Sequence, residues 1–248
     1  MLIRQLYDHE TFSLSYFLAD IKNQCAMIID PVKDLVPLYS RLLNEYGVTL
    51  TYAIDTHLHA DHITGMGALR EATSCTTLVG KLSKMHCADD QFDDNGIIRC
   101  GDISLRALYT PGHTNDSYSF YIEENHNKEK ESAENGHPPY VFTGDTLFIR
   151  GTGRTDFMGG SSEDLYRSLF DRLLTLPDHT VVFPGHDYNG MNQSTIGEEK
   201  AHNSRLQVKN WQELDDILKD LNLANPKKFT AAINANTKCG APAESISD

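Results

Sequence analysis

Three histidines and one aspartate lie within six consecutive residues of this chain, at His57, His59, Asp61 and His62. They directly follow an apolar run at residues 48–54 that predicts a strand. Neutral imidazoles and carboxylates are the side chains that bind zinc or iron, and a strand that leads into a tight turn can aim alternate residues into one pocket. The pattern His-x-His-x-Asp-His therefore indicates a metal site.

Three further segments share one layout, in which an apolar strand ends near a side chain that could bind a metal. The predicted strands at residues 105–109, 140–143 and 181–183 precede His113, Asp145 and His186. Each segment alone is typical of a turn residue or an Asx-turn. Together with the first cluster they give seven candidate ligands at strand ends, as in a metal site built on the rim of a sheet.

The seven candidates match the ligand pattern of the metallo-β-lactamase superfamily, and the chain resembles this superfamily over most of its length. The sequences at residues 56–65, 142–157 and 184–188 resemble most closely the persulfide dioxygenases. The specific parts are Arg-Thr-Asp-Phe, ending at Phe157, and His-Asp-Tyr, ending at Tyr188. Glyoxalase II, the nearest relative by motif, usually differs at both places. The resemblance implies an α/β fold, the four-layer αββα metallo-β-lactamase sandwich.

Two chemistries are open to this set of ligands. Two zinc ions that share Asp145 would activate a bridging hydroxide for hydrolysis, as in glyoxalase II, because metal binding lowers the pKa of water. One Fe(II) held by two histidines and one carboxylate would instead keep open positions for a substrate sulfur and for dioxygen. A non-catalytic thiol-binding scaffold is a third alternative, and the completeness of the motif argues against it.

The resemblance to the persulfide dioxygenases favours the iron chemistry. It implies one Fe(II) per chain, bound by His57, His113 and Asp145, and oxidation of glutathione persulfide with O2 to sulfite and glutathione. The other four candidates are His59, Asp61, His62 and His186. They would orient the ligands and bound water or, in the zinc alternative, bind a second ion. Candidates for binding the glutathione moiety are Arg154, Tyr188 and, third, Arg150.

The charge balance limits the partners of the protein. The chain has 22 basic and 35 acidic residues, a formal net charge of −13, which repels nucleic-acid phosphates and anionic membrane surfaces. We therefore expect neither nucleic acid nor membrane as a partner. An anionic glutathione derivative needs a local basic patch, for which the candidates are Arg150, Arg154, Arg205 and Lys238. A homodimer is an open alternative.

The cysteines and the N-terminus bear on the compartment. The five cysteines form no Cys-x-x-Cys pair and are odd in number, so we expect neither a disulfide framework nor a thiolate metal site. The first residues resemble neither a signal peptide nor a transit peptide, and no apolar run approaches membrane-spanning length. These features predict a cytoplasmic protein.

The chain is predicted to form a single domain over residues 1–248, because no Pro/Gly/Ser-rich linker divides it. The polar stretch at 124–139 predicts a flexible loop, and the portion from about residue 195 is predicted to be helical. Strands are predicted at 12–18, 25–29 and 76–79, in addition to those already named. Helices are predicted at 35–46, ending at Gly47 in the left-handed conformation, and at about 62–72. A further helix is predicted after Ser161 as its cap, with an apolar stripe at Leu165, Leu169, Leu173 and Leu176. Thr195 and Glu198 resemble a capping box that opens a helix to Leu206.

Overall fold

The computed structural model describes residues 1–124, 136–157, 159–224 and 229–241. These residues form two compact units. Unit 1 contains residues 1–93, 99–103 and the C-terminal part from 223, and unit 2 contains 94–98 and 104–222. Most of the predicted loop at 124–139 lies outside the described residues, and the organisation as a single domain stays a prediction.

Unit 1 is built on a six-stranded sheet in which the strands follow one another in chain order. Its strands are β1 (Leu2–Tyr7), β2 (Leu14–Asp20), β3 (Cys25–Ile29), β4 (Thr49–Ile54), β5 (Thr76–Gly80) and β6 (Asp90–Phe92). The first three strands pair antiparallel, and the last three join in parallel. The loop at 55–65, which contains the histidine cluster and is called the metal loop below, therefore follows a central parallel strand.

The helices of unit 1 are α1 (Val36–Tyr46), α2 (Met66–Thr73) and α6 (Phe229–Asn236). Helix α1 ends at Gly47, whose φ of 64° is the left-handed conformation expected after a helix. Helix α2 begins four residues later than predicted. The reason is that Thr64 forms an isolated bridge with Val32 and the Gly65 amide donates to the Pro31 carbonyl, which holds the end of the metal loop in an extended conformation.

A second six-stranded sheet, drawn mainly from unit 2, has the order β14-β13-β10-β9-β8-β7. Its strands are β7 (Ile97–Cys100), β8 (Ile103–Tyr109), β9 (Tyr118–Ile122), β10 (Tyr140–Gly144), β13 (Val181–Pro184) and β14 (Ser194–Thr195), and a short ribbon is formed by β11 (Leu147–Phe148) and β12 (Gly151–Thr152). Strands β10 and β13 are parallel neighbours. Their carboxyl ends lie at the same edge of the sheet, which brings Asp145 and His186 together.

The helices of unit 2 are α3 (Ser162–Arg167), α4 (Ile196–His202) and α5 (Trp211–Asp220). The predicted caps are confirmed: Ser161 accepts from the Asp164 amide, and Thr195 and Glu198 form a capping box. Beyond α3 the chain continues as a π-helical turn at Ser168–Arg172 rather than as a regular α-helix. The predicted apolar stripe is nevertheless core, because Leu165, Leu169 and Leu173 are completely buried.

Unit 1 contains a disulfide bond between Cys87 and Cys239, with Cα atoms 5.8 Å apart. The expectation of no disulfide framework is therefore wrong for this one pair of cysteines. The two residues are 152 positions apart, and the spacing of cysteines along a sequence does not reveal which of them the fold brings together. Cys25, Cys75 and Cys100 are free thiols.

Within the described parts of the chain, no helix has the length and apolar character needed to cross a lipid bilayer.

Candidate metal centre

His57 is buried at the start of the metal loop and is fixed by a chain of hydrogen bonds. The Thr56 hydroxyl donates to Asp30 Oδ2 at 2.9 Å and lies 2.9 Å from His57 Nδ1. Because the hydroxyl hydrogen points to Asp30, Nδ1 of His57 donates to the hydroxyl oxygen. This arrangement places the imidazole lone pair on Nε2, as metal binding through that atom requires.

His59 contacts its carboxylate partners through Nε2, whereas His57 uses Nδ1 for its hydrogen bond. Nε2 of His59 lies 3.2 Å from Asp30 Oδ1 and 3.8 Å from Asp55 Oδ1, while Nδ1 is buried with no hydrogen-bond partner among the described residues. Burial lowers the pKa of His59, but the negative charges of Asp30, Asp55 and Asp61 outweigh burial and raise the pKa to about 10. A cation at Nδ1 would therefore have to displace a proton.

His62 completes the cluster in unit 1. Its Nδ1 lies 2.9 Å from Asp61 Oδ2, and Ser13 donates to the same carboxylate oxygen. The other nitrogen, Nε2, is buried and lacks a hydrogen-bond partner within the described ranges. His59, Asp61 and His62 each offer one ligand atom, and the three atoms lie within 4.8 Å of one another. Two buried imidazole nitrogens that have no hydrogen-bond partner among the described residues, beside a carboxylate, fit a bound cation.

In unit 2, His113 is held by the main chain of Arg154. The carbonyl oxygen of Arg154 lies 2.9 Å from His113 Nδ1, and because a carbonyl only accepts, Nδ1 donates and the lone pair lies on Nε2. This Nε2 is 3.6 Å from Asp145 Oδ2. A lone pair and a carboxylate oxygen at this distance repel each other unless a proton or a metal ion binds them, so the pair also fits a cation.

Asp145 is buried at the end of β10, and His186 fixes its orientation. His186 Nδ1 lies 2.7 Å from Asp145 Oδ1, so one carboxylate oxygen faces His186 and the other faces His113. Two glycines allow this packing. A Cβ on Gly153 would lie 2.0 Å from the Asp145 carbonyl oxygen, and one on Gly185 would lie 2.5 Å from Asp145 Oδ1.

The three proposed substrate-binding residues have different surroundings. Arg154 forms a two-point ion pair with Asp156, with both contacts at 2.6 Å, and its guanidinium lies 4.7 Å from the centroid of the Phe157 ring. Tyr188 is 62% exposed and stacks on His186 with a centroid distance of 5.8 Å. Arg150 instead pairs with the buried carboxylate of Glu199.

The two other candidate cations have structural surroundings of their own. Arg205 donates to the main-chain carbonyl and the hydroxyl of Thr152. Lys238 is exposed just beyond α6.

Sequence reasoning missed several residues that hold the ligands in place. Asp30 accepts from Thr56 and contacts His59. It directly follows strand β3, as the candidate ligands follow their strands, so its position after a strand could have identified it. Asn236 has no such signal. It contacts the main chain of His59, His62 and Thr64 from more than 170 positions away in the sequence, and such contacts depend on the tertiary fold.

Comparisons with known proteins agree with this arrangement. The model of the metallo-beta-lactamase superfamily matches residues 10–126 and 133–186. Human mitochondrial persulfide dioxygenase ETHE1 is 36% identical over 241 residues, which cover 97% of this chain and 89% of the human protein. The curated bovine persulfide dioxygenase ETHE1 matches over the same extent, also at 36% identity.

Solved structures show the same relationship. The crystal structure of ETHE1 from Myxococcus xanthus superposes with a TM-score of 0.88 at 42% identity and covers 97% of this chain and 100% of that one. A metallo-beta-lactamase structure from Staphylococcus aureus has a TM-score of 0.84 at 28% identity, over 99% of this chain and 75% of that one. The predicted metallo-β-lactamase fold is confirmed, and the chain belongs to the persulfide dioxygenase family of the metallo-beta-lactamase superfamily.

Proposed function

We propose that this protein is an iron-dependent persulfide dioxygenase that oxidises glutathione persulfide with O2 to sulfite and glutathione. The observation that carries the proposal is the match to persulfide dioxygenases over 97% of the chain. The match includes the segments around the histidine cluster, Arg154 and Tyr188.

One Fe(II) per chain is proposed to be bound by His57, His113 and Asp145. The tautomers support this ligand set, because in both histidines Nδ1 donates a hydrogen bond and the lone pair lies on Nε2. Fe(II) held by these two histidines and one carboxylate would supply open positions for the persulfide sulfur and for dioxygen.

The other residues of the cluster are proposed to hold these ligands in place. His186 orients Asp145 through the 2.7 Å contact to Oδ1. Asp30 orients His57 through Thr56 and also contacts His59. Partners of this kind fix the direction of a ligand and raise its basicity, so their loss lowers metal affinity or activity without removing a metal bond.

Arg154 and Tyr188 are proposed to bind the glutathione moiety, with Arg150 third. Because the net charge of the chain is −13, an anionic substrate needs a local cation. The side chain of Arg154 is 13% exposed, and its charge is shared with Asp156, which is 61% exposed. Substrate could therefore compete with Asp156 for the guanidinium, whereas the pair of Arg150 with buried Glu199 leaves Arg150 less available.

A dinuclear zinc hydrolase of the glyoxalase II type is the second candidate. The observation that favours it is the group His59, Asp61 and His62, whose ligand atoms lie within 4.8 Å of one another. In that case these residues would hold a second ion.

Location and assembly are also proposals. We propose a cytoplasmic location and keep a homodimer as the alternative to a monomer. The human relative is named as mitochondrial. A disulfide in a reducing compartment such as the cytoplasm is usually reversible. In that location we expect the Cys87–Cys239 bond to form and break.

An oxygen electrode tests the dioxygenase proposal. Anaerobically iron-loaded protein is expected to consume oxygen only when glutathione persulfide is added, and the metal-free protein with persulfide is the control. Hydrolysis of S-lactoylglutathione is measured on the iron-loaded and zinc-loaded protein in parallel. No oxygen uptake, combined with thioester hydrolysis by the zinc-loaded protein, would decide for the hydrolase.

A further inference from the structure

Asn236, the last residue of α6, is completely buried and reaches the metal loop from the far end of the chain. Its Oδ1 accepts from the Thr64 amide at 2.9 Å. Its Nδ2 donates to the carbonyl oxygens of His59 and His62, at 2.9 and 2.8 Å. One side-chain amide thus contacts the main chain of the metal loop at three points.

These contacts matter because the metal loop is irregular. Between β4 and α2 the described structure has one isolated β-bridge, of Thr64 with Val32, and a few single main-chain hydrogen bonds such as that of the Gly65 amide to the Pro31 carbonyl. Buried main-chain carbonyls that take part in no helix or ladder need another donor. Asn236 supplies that hydrogen-bond donor to the carbonyls of His59 and His62. The imidazoles of these two residues belong, with Asp61, to the group of candidate metal ligands in unit 1. The amide therefore fixes the backbone from which both rings project.

The segment that follows Asn236 forms hydrogen bonds with other parts of unit 1. The Gly67 amide donates to the Cys239 carbonyl at 3.0 Å, and Lys33 Nζ donates to the Gly240 carbonyl at 2.7 Å. A Cβ on Gly67 would lie 2.5 Å from the Cys239 carbonyl oxygen, so the close approach requires a glycine there. The disulfide to Cys87 adds a covalent link three residues beyond Asn236.

We propose that Asn236 is a positioning residue for the metal loop, and that the Cys87–Cys239 disulfide keeps it in place, so that reduction of the disulfide weakens metal binding. The reductant would be a small thiol: the bond between the two sulfurs breaks, each sulfur gains a hydrogen, and two thiol molecules join as a disulfide. The proposal rests on the proposed function only in that the loop binds a metal, and it makes no claim about the reaction.

The test measures metal affinity and hydrogen exchange rather than activity. Zn²⁺ affinity of the full chain is determined by competition with a chromogenic chelator, and exchange of the Thr64 amide is followed in metal-free protein. Asn236→Ala removes all three contacts, and Asn236→Asp keeps the acceptor but loses both donors. We expect both variants to bind Zn²⁺ more weakly, on the order of ten- to hundredfold, and Asn236→Ala to exchange faster at Thr64.

Two control variants on α6 separate positioning from helix stability. Asn234→Ala changes an exposed residue of the same type and should behave as the wild type. Ala231→Gly changes an exposed residue of α6 and should weaken the helix by about 1 kcal/mol, and it should keep its Zn²⁺ affinity. Wild-type Zn²⁺ affinity in Asn236→Asp, or an equal loss of affinity in Ala231→Gly, would overturn the assignment of Asn236.

The role of the disulfide is tested by comparing the Zn²⁺ affinity of the reduced and the oxidised protein. Wild-type protein is reduced with dithiothreitol, desalted anaerobically and titrated with Zn²⁺, alongside a Cys87→Ser, Cys239→Ser double variant. We expect reduction to weaken Zn²⁺ binding of the wild type severalfold and to leave the double variant, already weaker, unchanged. Equal affinity in reduced and oxidised wild type would overturn this role. Failure of the oxygen-uptake experiment, with these results intact, would refute the dioxygenase and not the positioning by Asn236.

Discussion

Arg150 and Glu199 form an ion pair in which the carboxylate is completely buried while the guanidinium side chain is 28% exposed. The carboxylate also accepts from the Arg150 amide, the Ser194 hydroxyl and the Asn203 side chain. Such a network fixes the turn after β11, where Arg150 has a φ of 60°. The pair links this turn to helix α4.

Replacing Arg150 by Met should destabilise the protein by about 3–5 kcal/mol, because it leaves the Glu199 carboxylate buried without its counter-ion. Urea denaturation measures the loss. The double variant Arg150→Met, Glu199→Gln removes both charges and should be more stable than Arg150→Met alone. If Arg150→Met keeps its stability but raises the KM for persulfide, Arg150 acts on substrate rather than on the fold.

Replacing Arg154 by Ala should raise the KM for glutathione persulfide. The corresponding loss of binding free energy is about 1.5–3 kcal/mol, the contribution of one charge-assisted hydrogen bond. Steady-state oxygen uptake measures KM, and metal analysis measures iron. Because His113 Nδ1 donates to the main-chain carbonyl of Arg154 at 2.9 Å, and the substitution keeps that carbonyl, iron content should stay near that of the wild type. Lost iron at unchanged KM would assign the side chain to the metal site.

Asp156 offers a complementary variant. Its carboxylate shares the Arg154 guanidinium at 2.6 Å. Replacing Asp156 by Asn should release that charge and lower the KM for the anionic persulfide, opposite in sign to Arg154→Ala. An increase in KM would instead mean that Asp156 holds Arg154 in the orientation that substrate needs.

Much of the fold could be predicted from local patterns. The caps at Ser161 and Thr195 and the left-handed Gly47 depend on hydrogen bonds or backbone preferences within a few residues, and all three are confirmed. The start of α2 could not be predicted. It depends on Pro31 and Val32, which hold Gly65 and Thr64 from another part of the chain.

The candidate ligands could be identified because each one follows a strand, but their orientation could not. The tautomer of His57 depends on Asp30, and that of His113 depends on a carbonyl 41 residues away. The Cys87–Cys239 bond has a still larger separation of 152 residues. Contacts of this kind arise only from tertiary packing, and one sequence carries no periodic signal for them.

Asp94 should make the stability of the protein depend on pH. Burial raises the pKa of Asp94, but hydrogen bonds from Arg172 at 2.8 and 3.2 Å and from the Tyr109 amide outweigh burial and lower the pKa. Because the folded pKa lies below the unfolded pKa, the charged form stabilises the fold above the unfolded value of about 3.9. This stabilisation is lost as the pH falls through the folded pKa.

Urea denaturation of the wild type and of Asp94→Asn between pH 7 and pH 3 measures this effect. The variant should be less stable at pH 5–7, and the difference should shrink below about pH 4 as Asp94 becomes protonated in the wild type. Asp216→Asn, at an exposed site on α5, is the matched control and should show a smaller difference. If the lower free energy of unfolding of Asp94→Asn persists undiminished to pH 3, the charge of Asp94 is not the cause of the stabilisation.

The seven candidate ligands can be divided by experiment, because the iron and zinc proposals make opposite claims about them. In the iron proposal, replacing His57, His113 or Asp145 by Ala removes a metal bond and should abolish iron binding. Replacing His186 by Ala should leave most of the iron and lower turnover by about ten- to hundredfold, since His186 orients Asp145 through Oδ1. Metal analysis and oxygen uptake of the purified variants measure both effects.

His62 is the most discriminating position of the set. Its Nε2 is buried with no hydrogen-bond partner in the described part of the chain, which suits a second metal ion, whereas a mononuclear iron site does not need this nitrogen as a ligand. If the protein binds one iron, His62→Ala should keep most of that iron. If it binds two zinc ions, the same variant should lose one of the two equivalents, and that result would decide against the mononuclear site.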